Sequence, residues 1–154
     1  MRKIGLPWTI LRPTSFMENF CFPTVMEQVR RGSLMSPLLP NKTLQMIAVD
    51  DIGAFAAMAL DNSNRFMHLA LELAGDELTM PQVAAALSSK LGKNVEHVQV
   101  PMEEVRGRDR ERAIMMEWQN QRGYAANIPA IREMRPQLLT FNAWLNKGCW
   151  SKAI

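Results

Sequence analysis

The sequence predicts an α/β fold with a helical flank. Two observations carry this. Up to about residue 100, short apolar, β-prone stretches alternate with segments of helical period, and from Met102 onward the pattern is helical throughout. The length of 154 residues and a hydrophobic fraction of 47% fit one domain with a substantial core.

Trp8 to Leu11 is apolar and ends at Pro13. It reads as a strand of a parallel sheet with both faces covered, where alternation is lost. Pro23 suits the first turn of a helix, where its missing N–H costs nothing. Phe22, Val25, Met26 and Val29 then recur at helical spacing, and Gly32 is the stop. Ser33 to Thr43 holds Pro37 and Pro40 and reads as a loop. Leu44 to Val49 is a short strand. Asp50 or Asp51 is expected to cap the helix that follows, whose apolar stripe is Ile52, Phe55, Ala56, Ala59 and Leu60. Asp61-Asn62-Ser63-Asn64 ends it.

His68 to Leu73 is a further strand, closed by Gly75-Asp76. Thr79 and Gln82 form a capping box for a helix with Val83, Leu87 and Leu91 on one face and Gly92 at its end. Val95 to Val100 alternates as a strand. Glu103 to Arg106, Arg108 to Gln121 and Pro129 to Met134 are helical, and Thr140 caps a last helix carrying Phe141, Trp144 and Leu145.

Composition excludes several functions. The net charge is +3, and acids interleave with the arginines of Val105 to Arg112, so a solvated helix face is expected and no direct nucleic-acid contact. No apolar run reaches membrane-spanning length. Gly5, Pro7, Thr9 and Arg12 interrupt any signal-peptide core after Met1-Arg2-Lys3. Cys21 and Cys149 make neither a disulfide framework nor metal-ligand spacing, and a reducing, cytoplasmic setting fits them. His68 and His97 read as sheet histidines, and no metal site is expected. Twelve methionines suggest a deformable interior.

The stretch GLPWTILRPTSFMENF, residues 5–20, resembles the strand-and-turn segment of NmrA-like proteins, a branch of the atypical short-chain dehydrogenase/reductase superfamily. Three further stretches match in order: Leu44 to Gly53, Leu71 to Thr79, and PQLLTFNAWL from Pro136 to Leu145. The resemblance implies the C-terminal half of an NAD(P)-binding Rossmann-like domain with a helical substrate-side lobe. Residues 1–154 would then be a partial domain. The glycine-motif half that cradles pyrophosphate would lie outside this chain, since no strand-to-helix turn here has that glycine spacing. Arg2-Lys3 resembles the tail of the helix preceding the first strand.

In such proteins the turn after the Thr-Ile-Leu-Arg-Pro strand closes over the nicotinamide. The resemblance therefore nominates Thr14, Ser15, Phe16, Met17 and Glu18 as cofactor contacts, with Asn19 adjacent. Leaving the carboxyl end of a strand, these residues can offer backbone groups, an aromatic face and a polar end to a ligand held there. The cofactor implied is NADP or NAD, bound weakly or not at all by this chain alone.

No catalytic residue is assigned. The only tyrosine, Tyr124, has isoleucine four residues on, where a short-chain reductase would have lysine. Tyr124 reads instead as a pocket or packing residue. The substrate pocket is expected between Thr14 to Asn19, the Ser33 to Thr43 loop and Trp118 to Tyr124. The function implied is an oxidoreductase acting on a small organic substrate. The alternatives are a non-catalytic NADP sensor with a protein partner, or a chain without cofactor binding. Unpaired strand edges would favour association with a second copy.

Overall fold

A computed structural model describes residues 6–151. Arg2-Lys3, read as the end of a helix, lies outside the described residues. The strands are β1 (Ile10–Pro13), β2 (Ser15–Phe16), β3 (Ser33–Ser36), β4 (Thr43–Ile47), β5 (Ala70–Leu73), β6 (Asp76–Thr79) and β7 (Glu96–Gln99). The helices are α1 (Pro23–Arg30), α2 (Val49–Asp61), α3 (Ser63–Phe66), α4 (Met80–Leu91), α5 (Met102–Arg108), α6 (Arg110–Gln121), α7 (Ile128–Met134) and α8 (Phe141–Leu145). A 3-10 turn, Met17–Cys21, follows β2.

Pairing is mostly parallel, as the α/β pattern requires. β1 runs beside β5, β2 beside β4 and β3 beside β7, while β4 and β6 pair antiparallel. β4 is the most deeply buried strand, with a neighbour on each side. Its side chains alternate between two apolar clusters, as strand geometry dictates. Leu44 and Met46 join Val29, Leu87, Phe141 and Trp144, whereas Ile47 joins Phe55, Leu73 and Ile131.

Several local expectations hold for the stated reasons. Thr79 and Gln82 exchange both capping-box hydrogen bonds, and Gly92 closes α4 with φ 63°. Thr140 accepts from Ala143 N at the start of α8. Arg106 and Arg108 lie on solvated helix faces and pair with Glu117 and Glu104.

Others are corrected. β1 is only partly covered, with Ile10 41% exposed, because β5 is its one strand partner among the described residues. Leu6, Met67 and Leu69 are exposed around its start. Ser33–Ser36 is a strand rather than loop: its partner β7 lies about 60 residues away in sequence, beyond reach of local pattern. β6 follows β5 directly where the sequence reads only a turn. Leu60 lies 81% exposed, so the buried stripe of α2 centres on Phe55.

Neither Asp50 nor Asp51 caps α2. The N-cap is Ala48, and the cap is supplied from a distance by Glu18, whose carboxylate accepts from Val49 N at 3.1 Å. Asp51 is fully buried. It accepts from Arg135 Nε at 2.7 Å and from Leu139 N at 2.9 Å, tying the C-terminal segment to α2. Arg132 donates to the carbonyls of Leu138 and Gly75, and Asp76 accepts from Phe141 N. Gly75 suits this docking: a Cβ there would stand 2.5 Å from Leu139 O.

The largest correction concerns the cysteines. Cys21 and Cys149 form a disulfide across 128 residues. Spacing carries no sign of this, because the bond joins two segments brought together only by packing: the 3-10 turn and the chain leaving α8. The cysteines therefore no longer argue for a reducing compartment. No helix among the described residues is long and apolar enough to cross a membrane.

Candidate functional site

A cavity of about 660 Å³, partly open to solvent, lies beyond the carboxyl ends of β1, β3 and β7. This is where open α/β sheets hold ligands. Thr14, Ser15 and Phe16 form one side, together with Asn19 and Phe20 of the 3-10 turn. Leu34 to Leu38 form another, and α1 adds Val25 and Gln28. The roof comes from α5 and α6, through Glu104, Arg108, Met115, Met116 and Gln119, with Tyr124 just beyond.

The local structure explains these placements. Pro13 ends β1, and Thr14 turns the chain: its N and Oγ1 both donate to Leu73 O at 3.0 Å. Thr14 is thus buried, with its side chain satisfied by β5. Ser15 Oγ accepts from Asn19 Nδ2 at 3.4 Å, and Phe16 leaves 40% of its surface exposed. Met17 points into the core, fully buried. Glu18 accepts from Val49 N and from Trp144 Nε1 at 3.0 Å. So Thr14, Ser15 and Phe16 reach the cavity wall, and the side chains of Met17 and Glu18 are held elsewhere.

The roof is anchored at one end. Asn120 donates to Pro37 O and accepts from Leu39 N, which fixes the end of α6 over the loop after β3. Gln45, buried in β4, accepts from Ala126 N and donates to Ala126 O, which fixes the chain after Tyr124. Tyr124 stacks edge-on against Trp118 with centroids 5.1 Å apart. Burial pushes the Tyr124 phenol above its ordinary pKa, and a hydrogen bond from the Gln119 side chain opposes that shift in part. The phenol is neutral at physiological pH.

The three predicted boundaries all contribute to the wall, although Trp118 stands behind it. Gln119 lies in the expected stretch from Trp118 to Tyr124, whereas the contribution of the earlier turns of α6, through Arg112, Met115 and Met116, was not expected from the sequence. Arg112, Met116 and Gln119 recur at helical spacing, which was a usable signal, but a mixed polar and apolar stripe reads as solvent-facing. The face of α1 that lines the cavity gave no signal, because its placement is tertiary; β3 falls within the expected Ser33 to Thr43 boundary, read there as a loop.

Among described residues, no group of acids, histidines and cysteines could hold a metal ion. The arrangement combines apolar walls with polar and charged side chains, the charged ones Glu104, Arg108, Asp109 and Arg112, at a strand-end location. Rossmann-type folds hold small molecules at such strand ends.

Solved structures share this fold. The chain superposes on the Citrobacter sp. triphenylmethane reductase complexed with NADP(H) with a TM-score of 0.78 at 15% identity, covering 95% of this chain and 54% of that one. It superposes on an NADPH-dependent quinone oxidoreductase from Escherichia coli with a TM-score of 0.77 at 18% identity, covering 93% and 55%. NmrA, a negative transcriptional regulator solved with NADP, matches with a TM-score of 0.68 at 21% identity, covering 93% and 52%. The agroclavine dehydrogenase of Claviceps purpurea is 35% identical over 100 residues, covering 60% of this chain and 33% of that protein. The chain thus spans about half the length of those structures and a third of that dehydrogenase. The model of the NmrA-like family matches residues 1–137, and the chain belongs to that family. The expected Rossmann-type α/β fold and nucleotide-binding family are therefore established.

Proposed function

We propose that this chain is the substrate-side part of an NAD(P)H-dependent oxidoreductase that acts on a small organic molecule. The observation that carries this reading is the position of the apolar cavity, beyond the carboxyl ends of parallel strands and beside the turn from Thr14 to Asn19. A cavity of this size and character favours a substrate over a purely regulatory role, since a nucleotide sensor needs no second, apolar chamber. The sensor remains the alternative, motivated by the likeness to NmrA.

The residues present fit the nicotinamide end of the cofactor and not its phosphates. Ser15 and Phe16 offer a hydroxyl and an exposed ring, and Thr14, Met17 and Glu18 would contribute backbone groups. A pyrophosphate needs free N–H groups at a helix N-terminus. At α2 that position already holds the Glu18 carboxylate. The 154-residue chain should accordingly bind NADPH with a Kd weaker than about 10 μM.

The test is an NADPH titration by calorimetry, with reduced nicotinamide mononucleotide and adenosine 2′,5′-bisphosphate compared by NMR. The expected result is weak NADPH binding. Amide shifts at residues 14–18 should respond to the mononucleotide and not to the bisphosphate. Tight NADPH binding would show that the chain carries its own phosphate site. Shifts confined elsewhere would remove residues 14–18 from the cofactor site.

A further inference from the structure

Trp150 is the largest fully buried side chain among the described residues, yet its indole N–H has no hydrogen-bond partner there. Buried polar groups in native proteins are nearly always paired, so the exception calls for a cause. Little else seats the segment that carries it. Lys147 N and Gly148 N donate to Trp144 O, and Ser151 N donates to Gly148 O, so these bonds stay within α8 and the segment itself. Among the described residues its one side-chain bond to another element runs from Lys90 Nζ to Asn146 Oδ1, which is exposed and lies before Gly148. What remains is the Cys21–Cys149 disulfide, beside Trp150 in the chain. Burying the indole favours the seat. The unpaired N–H and the chain entropy of ordering residues 148–151 oppose it. The cross-link holds Cys149 at the 3-10 turn and so removes much of that entropic cost.

The same tryptophan shares one packed cluster with the cavity wall. Phe20, Leu34, Leu38, Leu44 and Met80 belong to that cluster and also line the cavity. Cores pack with few voids, so taking a fully buried tryptophan out of the cluster makes its other members shift. The cross-link is also within reach of solvent. Cys149 is an exposed residue and Cys21 a half-buried one, so the Cys149 sulfur is the more open to a small thiol. The turn bearing Cys21 has other ties: Glu18 holds Val49 N and the Trp144 indole, and Phe20 packs edge-on against Phe141. Opening the bond therefore frees the Cys149 side and leaves the Cys21 side in place.

We infer that the Cys21–Cys149 disulfide is a redox latch that sets the shape of the cavity wall through Trp150. With the latch closed, Trp150 fills the core behind the wall. With it open, residues 148–151 leave their seat, Trp150 leaves with them, and the cluster that includes Phe20 and Met80 repacks into the space. The reductant is a small aliphatic thiol. Its thiolate bonds to Cys149 Sγ as the Sγ–Sγ bond breaks, and Cys21 departs as a thiolate that takes up a proton. A second thiolate attacks the outer sulfur of the mixed disulfide, frees Cys149 and forms the small-molecule disulfide. Two electrons thus pass from two small thiols to the protein cross-link. Reading the cavity as the substrate side makes the latch a control on substrate binding, and that consequence alone rests on the function proposed above.

The experiment follows the 154-residue chain by NMR, with isotope-labelled methionine methyls and tryptophan indoles, first oxidised and then in 2-mercaptoethanol, with no ligand present. Met80 and Met116 report on the cavity wall. Met58 and Met134 pack on the separate cluster around Phe55 and Ile131 and report on the rest of the fold. On reduction the Trp150 indole N–H should lose at least about tenfold of its hydrogen-exchange protection, while that of Trp144 changes by less than about twofold. The methyl signals of Met80 and Met116 should shift, those of Met58 and Met134 should stay, and the disulfide of 2-mercaptoethanol should restore the first spectrum. Trp150→Ala, kept oxidised, should reproduce the Met80 and Met116 shifts with the cross-link intact. An unmoved Trp150 indole, or a wall that does not respond once Trp150 is released, would overturn the inference. Collapse of all four methyls to unfolded positions would do so too, by making the bond a brace for the whole fold, and so would failure of the two cysteines to rejoin. The oxidised and reduced wild-type spectra decide the matter even if Trp150→Ala does not fold. Because no ligand is present, the latch and the NADPH reading can fail independently.

Discussion

Replacing Glu18 with alanine separates a structural role from a ligand-binding one. Glu18 lies in the segment nominated for cofactor contact, yet its carboxylate joins three elements: the turn after β2, the start of α2, and Trp144 of α8. Two losses follow from Glu18→Ala. Trp144 is 3% exposed, so its indole N–H would be left buried without an acceptor, at about 1–3 kcal/mol. Val49 N would lose its cap, worth about 1 kcal/mol or less because Val49 is itself 45% exposed and water can replace the bond. The indole term dominates, and together they come to about 3 kcal/mol. In a chain of this size that lowers Tm by roughly 6–12 °C.

The assay is urea unfolding, followed by far-UV circular dichroism because the variants change a tryptophan. The same substitution is then made in a Trp144→Phe background, where no indole N–H remains to be orphaned. There Glu18→Ala should cost about 1–2 kcal/mol less than in the wild-type background. An equal cost in both backgrounds would refute the proposed link between Glu18 and Trp144. A loss below about 0.5 kcal/mol in the wild type would refute the structural role altogether.

Two further outcomes follow from the docking of the C-terminal segment. Arg135→Met strips the partner from a fully buried carboxylate and should cost about 3 kcal/mol in urea unfolding. Adding Asp51→Asn to that variant should restore at least about 1 kcal/mol, and no recovery would mean the charge pair is not the cause. Reducing the Cys21–Cys149 disulfide removes a cross-link between residues 128 apart. On a chain-entropy view it should lower stability by roughly 4–5 kcal/mol, so an unfolding midpoint unmoved by dithiothreitol would mean the two thiols are not joined in solution.

Much of the fold was legible in the sequence because its signals are local. The capping box of Thr79 and Gln82, the proline at the start of α1 and the glycine stops are short-range chemistry, and each held in place. The strand from Ile10 to Pro13 and the segment that leaves it were readable both as pattern and as a family likeness. The failures share one cause. β3 and β6 are four-residue strands whose pairing, not their composition, makes them strands. Asp51 looked like a cap and is a buried anchor, because the guanidinium that neutralises it lies 84 residues away.

The candidate site divides along the same line. By itself the sequence determined that the chain is an NmrA-like α/β protein, and that the segment from Thr14 to Asn19 leaves the carboxyl end of a strand. Those conclusions rest on period, punctuation and ordered motifs, all written along the chain. Only the tertiary structure decided that Thr14, Ser15 and Phe16 reach a cavity while Met17 and Glu18 turn away from it. Only it brought Arg112, Met115 and Met116 of α6 over that cavity, and only it joined Cys21 to Cys149. The direction in which a side chain faces, and the group it meets there, depend on how distant elements pack, and no local pattern encodes that.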